Sequence, residues 1–117
     1  MYAIYAGDTL VGHSALESGD PSMGVACGLF IAADGYDAVR HECRTNHADQ
    51  SGLALSARTP AGNPLPCVAV AVLDYSDQAV DGQPAYVEAA VLGIPHPLYA
   101  ELFPENVTAH AQRFPAR

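Results

Sequence analysis

The sequence contains no lysine and no tryptophan, and its five basic residues, all arginine, are outnumbered by thirteen acidic residues. The formal net charge is −8. Because like charges repel, this balance argues against direct binding to nucleic acid or to anionic lipid, and it favours a basic protein as partner. A GC-rich bacterial genome would also deplete lysine, so the acidity has a compositional explanation beside the functional one.

Long apolar runs and targeting signals are missing as well. No stretch approaches the ~20 consecutive apolar residues of a membrane-spanning helix. Residues 1–8 lack the basic start and the apolar stretch of a signal peptide. The three cysteines are an odd number and form no Cys-x-x-Cys pair, so we expect free thiols. Together these absences predict a cytoplasmic protein that does not bind membranes.

Half of the 117 residues are apolar, which is enough for a buried core, and no linker or repeat divides the chain. The sequence therefore predicts a single α+β domain spanning residues 1–117. We expect an antiparallel sheet of about five or six strands with two helices packed on one face. The predicted strands cover residues 2–6, 9–16, 25–32, 53–58, 67–73 and 85–92, and the predicted helices cover residues 34–45 and 97–103.

Three local signals refine this prediction. Gly7-Asp8 is typical of a two-residue turn between antiparallel strands. Residues 67–73 form an unbroken apolar run, which predicts a central strand that is covered on both faces. Pro104 is expected either to kink the second helix or to restart it over residues 105–113.

Catalytic motifs are incomplete in this sequence. Residues 12–16 begin like the Gly-x-Ser-x-Gly turn of a hydrolase, but Leu16 stands where the closing glycine is needed. Cys43 and His47 are spaced to share one face of a helix, yet zinc requires further ligands. We therefore expect no metal, no cofactor and no catalytic residue, which favours a non-enzymatic role without excluding an enzyme. Neighbouring arginines predict that Cys43 is the most reactive thiol, and Cys67 is expected to be protected in its strand.

Two loops are candidates for a partner-binding surface. The segment after the predicted central strand is acidic and carries one aromatic residue, which suits a cationic protein surface. The loop between Gly19 and Gly24 offers a carboxylate and a flexible methionine. Both segments are equally consistent with ordinary solvated turns. The candidate partner-binding residues are Asp74, Tyr75, Asp77, Asp81, Asp20 and Met23.

These observations lead to three functional hypotheses. The first is a non-enzymatic acidic module that binds a basic protein, for instance an immunity-type inhibitor of a basic bacterial toxin. The alternative is a small enzyme or ligand-binding domain, with a pocket near His13, Met23, Cys27 and His41. The third is a homodimer formed through an exposed edge strand at residues 2–6, because no lysine or proline protects that edge.

Overall fold

A computed structural model describes residues 1–76 and 86–113. Within these residues it is an α+β fold, a seven-stranded antiparallel sheet curled into a half-barrel with three helices, so the predicted fold class is confirmed. The strands are β1 (Tyr2–Ala6), β2 (Thr9–Ser14), β3 (Ser18–Asp20), β4 (Val25–Ala32), β5 (Leu55–Arg58), β6 (Ala69–Asp74) and β7 (Val87–Leu92). The helices are α1 (Arg40–Thr45), α2 (Leu98–Leu102) and α3 (Pro104–Arg113), with a 3₁₀ turn at Asp34–Ala38 before α1.

The strands follow the order β5-β1-β2-β4-β7-β6, and β3 lies off this path, paired with the first residues of β4. β1 and β2 form the predicted hairpin around Gly7-Asp8. β3 is a strand where the sequence predicts a loop. Its three residues are polar and contain a glycine, so nothing in them indicates a strand, and only pairing with β4 makes them one.

Among the described residues β6 is an edge strand, so the prediction that residues 67–73 form a central strand was wrong. Val70 and Val72 point into the core, whereas Ala69 and Ala71 point outward and keep part of their surface accessible. The apolar run of residues 67–73 is unbroken because the side chains on both faces of β6 are apolar. The described chain covers only the inner of these two faces. The Gln50 side chain covers the free edge: its amide donates to the Val72 carbonyl and accepts from the Val72 N–H, both at 2.8 Å.

β1 lies inside the sheet, between β5 and β2. The predicted homodimer requires an exposed edge at β1. That requirement is not met, because both backbone edges of β1 are already paired within the chain. Tyr2 is buried and its ring stacks on Phe103 with centroids 5.3 Å apart. The strand that pairs with the other edge of β1 is β5, from the middle of the chain, and its four residues carry too little local signal to predict their partner.

One hydrophobic core fills the inner face of the sheet, and the helices pack against it. The predicted face of the first helical segment is confirmed, since Tyr36 and Cys43 both belong to this core. Pro104 restarts the second helix as α3, which gives three helices instead of two. Tyr99 on α2 is fully buried, and its hydroxyl donates to the Val25 carbonyl at 2.7 Å. None of the helices in the described ranges has the length and apolar character needed to cross a membrane.

Candidate functional site

The carboxylate of Asp74 is buried at the end of β6, with 1% of the residue exposed. It accepts hydrogen bonds from the Tyr36 hydroxyl at 2.5 Å and from the Ser76 N–H at 2.8 Å. The guanidinium of Arg44 lies 3.5 Å away. The expectation that Asp74 belongs to an exposed acidic rim was wrong, because the strand continues through this residue and turns its side chain inward. Two further residues of the predicted rim, Asp77 and Asp81, lie outside the described residues.

The groups around Asp74 stabilise its charged form inside the protein. Burial by itself raises the pKa of Asp74, but hydrogen bonds from Ser76 and Tyr36, together with Arg44, outweigh burial and hold the pKa below its ordinary value. Burial, followed by the hydrogen bond to Asp74, raises the pKa of Tyr36. The carboxylate is therefore ionised and ties the first helical segment to β6. Tyr75, the predicted aromatic anchor, is partly exposed and contacts the edge of the His47 ring, with centroids 4.8 Å apart.

Asp20 and Met23 occupy the tight turn between β3 and β4. Asp20 accepts the Ser22 N–H at 3.0 Å and the Ser22 hydroxyl, whose hydrogen bond is the main reason that the pKa of Asp20 is lowered. Met23 projects into solvent with 68% of its surface exposed. Both residues are thus at the surface, as a partner-binding role requires.

The structure does not gather the four residues of the alternative pocket. His13 lies on the outward side of β2 opposite Ile31, and His41 is exposed on α1. Cys27 lies on β4 and lines a groove. The described residues of this groove do not include His13, His41 or Met23. In the part of the chain that the structure covers, no group of three or more His, Cys, Asp or Glu residues is placed to hold a metal ion.

The reactivity predicted for Cys43 was wrong. Its side chain is fully buried in the core, and burial raises the pKa of the thiol to about 11. The neighbouring arginines belong to the same helix, but the thiol faces the hydrophobic side. Cys27 and Cys67 are both partly exposed, so Cys67 is less protected than the sequence suggested.

We therefore expect Cys43 to be the slowest of the three cysteines to react with iodoacetamide in the native protein. Peptide mapping by mass spectrometry over a time course would give the three rates. Urea should bring the rate at Cys43 up to those at Cys27 and Cys67. A native rate at Cys43 equal to the other two would show that this helical segment does not pack as described.

A groove of about 590 Å³ runs between α3 and the β3–β4 hairpin. Its carboxylates come from Glu17, Asp20 and Glu105, and Cys27 forms part of its apolar floor. Asn106 joins the two walls, because its side-chain amide donates to the Ser18 carbonyl at 3.1 Å. The basic side chains at the groove are those of His110 and Arg113 on α3.

Among the groove residues, Gly19 and Asp20 belong to a candidate loop of the sequence and Cys27 to the alternative pocket, whereas no motif marks the others. Glu17 and Glu105 sit in separate segments with no shared motif, and only the packing of α3 on β3 brings them together. The amphipathic pattern of residues 105–113 predicts that one side of this helix packs against the rest of the protein. It does not indicate which strand the helix contacts.

The outward side of β4, β7 and β6 is apolar and open to solvent. We call it the outer face, and it consists of Cys27, Leu29, Ile31, Ala69, Ala71, Leu73, Ala90 and Leu92, with Glu88 among them. Leu29 and Ile31 expose 48% and 47% of their surface. Glu88 is the charged residue in the middle of these strands, opposite Leu29 on one side and Leu73 on the other.

Comparisons of the chain with models of protein families, with curated proteins and with solved structures find no significant match.

Proposed function

We propose that this protein is a non-enzymatic module that binds a basic protein partner. The observation that carries the proposal is the distribution of charge over the described surface. Asp74 is the one buried acid among the described residues, and every other described carboxylate reaches solvent at least in part. A surface of this kind attracts cationic proteins and repels polyanions.

The described arginines do little to offset this negative surface. Arg40 pairs with Asp37 at 2.6 Å, and Arg44 lies against the buried Asp74. Arg58 sits over the ring of Tyr5, 4.5 Å from its centroid. Arg58 and Arg113 keep their charge at the surface, but the thirteen acidic residues of the chain outnumber its five arginines, and the excess negative charge steers a cationic partner toward the protein.

An immunity-type inhibitor that neutralises a basic toxin is the most concrete form of this proposal. A nuclease toxin must hold phosphate, so its own site is basic and complements an acidic inhibitor. The incomplete catalytic motifs agree with that role. The alternative of an enzyme or ligand-binding domain finds no support in the arrangement of His13, Met23, Cys27 and His41.

The test is to capture the partner from an extract of the native organism and then to measure association of the purified pair. We expect a partner of positive net charge whose association rate falls about tenfold or more between low and physiological salt, because salt screens charge over about 8 Å. A captured partner of negative net charge, or an association rate that does not depend on salt, would contradict the proposal.

A further inference from the structure

The half-barrel is open between β5 and β6, the two strands at the ends of its strand order. A cleft of about 350 Å³ lies on this open side, beside the free edge of β6. It is lined by residues 47–51 and 54–55 and, opposite them, by residues 68–71. Ligand pockets begin at about 300 Å³, so the cleft has room for a few residues of an extended chain but not for a folded domain.

The free edge of β6 carries main-chain groups that the described sheet leaves unpaired. Successive residues of a strand direct their N–H and C=O groups to alternate edges. The N–H and the C=O of Val72 both bond Gln50, so they point away from β7. Val70, two residues earlier, directs its N–H and C=O to the same edge, where no described strand pairs with it. Such an edge is a template for pairing with another chain.

The contacts of Gln50 indicate what kind of group this edge takes. Its side-chain amide bonds the N–H and the C=O of one strand residue, Val72, both at 2.8 Å. A residue of an added antiparallel strand makes the same two bonds. The side chain therefore occupies one position of a strand that the described sheet does not contain. It leaves the next position, opposite Val70, without an occupant in the described chain.

The other side of the cleft supplies further hydrogen-bonding groups. The Ala57 carbonyl accepts the Leu65 N–H at 2.9 Å, so it points away from β1, and Leu55 directs its main-chain groups the same way. Leu55 lines the cleft, and no described strand pairs with this edge of it. His47 lines the cleft too, and its buried Nε2 atom has no hydrogen-bond partner in the described ranges. Both sides thus offer polar groups to a polypeptide backbone.

We propose that this cleft binds an extended segment of the partner protein, which adds to the free edge of β6 as an antiparallel strand. One residue of the segment exchanges two main-chain hydrogen bonds with Val70. Paired residues point to the same side of a sheet, so this residue points inward, as Val70 does, and should be apolar. Its neighbours point outward beside Ala69 and Ala71, whose small side chains leave room for long polar ones.

A helix or a second copy of this chain fits the site less well. A helix bonds its own N–H and C=O groups along its length, so it cannot pair with Val70. A second copy would have to bring the edge of its own folded sheet into the cleft, against the repulsion between two chains of net charge −8. The inference rests on the proposed function for the existence of a protein partner. It adds the surface and the conformation of the bound segment.

Hydrogen exchange of the free protein gives the first test. The Val70 amide should exchange about tenfold faster than the Val72 amide, because only the latter donates to Gln50. Both residues are buried and lie on one strand, so the comparison isolates the missing acceptor. Equal protection of the two amides would mean that the edge is already covered at Val70, and it would overturn the inference.

A synthetic probe tests whether the edge accepts a strand. The probe is a seven-residue peptide of alternating arginine and valine with blocked ends, so its valines share one side when it is extended. It is titrated into ¹⁵N-labelled protein and followed by NMR. We expect shifts concentrated in β6, β5 and residues 47–51, with slower exchange at Val70. The same peptide N-methylated at its valines should bind about tenfold more weakly, because the residue opposite Val70 then lacks its N–H.

Gln50→Ala separates strand addition from simple attraction of the arginines to an acidic surface. Removing the amide frees the N–H and the C=O of Val72, so the peptide gains a second pairing position and should bind about fivefold more tightly. The matched control is Gln112→Ala, which removes the same amide from the exposed side of α3 and should change the affinity by less than about twofold. Circular dichroism confirms that each variant is folded. The comparison of the two peptides on the unchanged protein does not depend on the variants.

Three outcomes of the peptide experiment would overturn the inference. The first is equal affinity for the plain and the N-methylated peptide, and the second is the absence of shifts in β6 at millimolar peptide. The third is a shift map centred elsewhere, for instance around Asp20 and Met23, which would leave the proposed function standing but at another surface. A dimer in analytical ultracentrifugation whose Val70 amide is protected without peptide would also overturn it, since a second copy would then occupy the edge. The proposed function fails separately, through the charge of the captured partner.

Discussion

Replacing Asp74 with alanine is expected to lower the free energy of unfolding by about 3 kcal/mol, because it leaves the hydrogen-bonding groups around a buried carboxylate without their acceptor. The Tyr36 hydroxyl, the Ser76 N–H and the Arg44 guanidinium all point at this side chain. Urea denaturation followed by circular dichroism measures the change. The sequence alone predicts a far smaller effect, since there Asp74 belongs to an exposed loop.

The same substitution should alter how the free energy of unfolding depends on pH in the acidic range. The pKa of Asp74 is lowered in the folded protein, so its contribution is fully present above its ordinary value of 3.8 and is lost as the pH falls through the lower folded value. We expect Asp74→Ala to lose less stability than the unchanged protein as the pH drops below about 4. Some dependence remains, because the pKa values of Asp20 and Asp49 are lowered as well.

Asp37→Ala is the control for both measurements. Asp37 is an exposed acid that pairs with Arg40 on the surface, and such pairs contribute at most about 1 kcal/mol. Equal losses for Asp74→Ala and Asp37→Ala would mean that Asp74 is solvated. An unchanged pH dependence in the acidic range for Asp74→Ala would lead to the same conclusion.

Replacing Gln50 with alanine should destabilise the protein by about 2–4 kcal/mol, because it removes two hydrogen bonds and leaves a buried N–H and a buried carbonyl of Val72 unpaired. Val72 is fully buried and Gln50 is 8% exposed, so water does not readily replace the lost partners. The Val72 amide should also exchange its proton faster. We expect more aggregation too, since the edge of β6 becomes available for pairing with another chain.

Gln112→Ala provides the comparison for Gln50→Ala. Gln112 is exposed on α3, and substitutions at such positions change stability by no more than about 0.5 kcal/mol. Gln50→Glu keeps an acceptor for the Val72 N–H but directs a carboxylate at the Val72 carbonyl, so it should also be destabilising. A loss for Gln50→Ala as small as that for Gln112→Ala would show that the amide does not protect this edge.

The sequence predicted much of the local structure because local signals carry it. Alternation placed Val87, Ala89 and Val91 on one side of a strand, and the burial pattern of β7 follows that alternation. Gly7-Asp8 marked a hairpin that the structure contains.

The candidate site was harder to predict. Of the six proposed partner-binding residues, Met23 and Tyr75 expose much of their surface and Asp20 part of it, whereas Asp74 is internal. Asp74 looked like a loop residue because Asp is depleted in strands and here it follows directly on an apolar run. Its inward direction follows from the strand register, and the hydroxyl and guanidinium that stabilise its charge come from a distant segment.

By itself, the sequence determined the fold class, most of the elements and the negative net charge. The tertiary structure decided that β1 is internal and β6 is an edge, that Cys43 is buried, and that an apolar outer face adjoins an acidic groove. The physical reason is that periodicity records only which side of its own strand or helix a residue occupies. Which segment covers that side depends on pairing and packing between residues far apart in the chain, and no local pattern encodes those contacts.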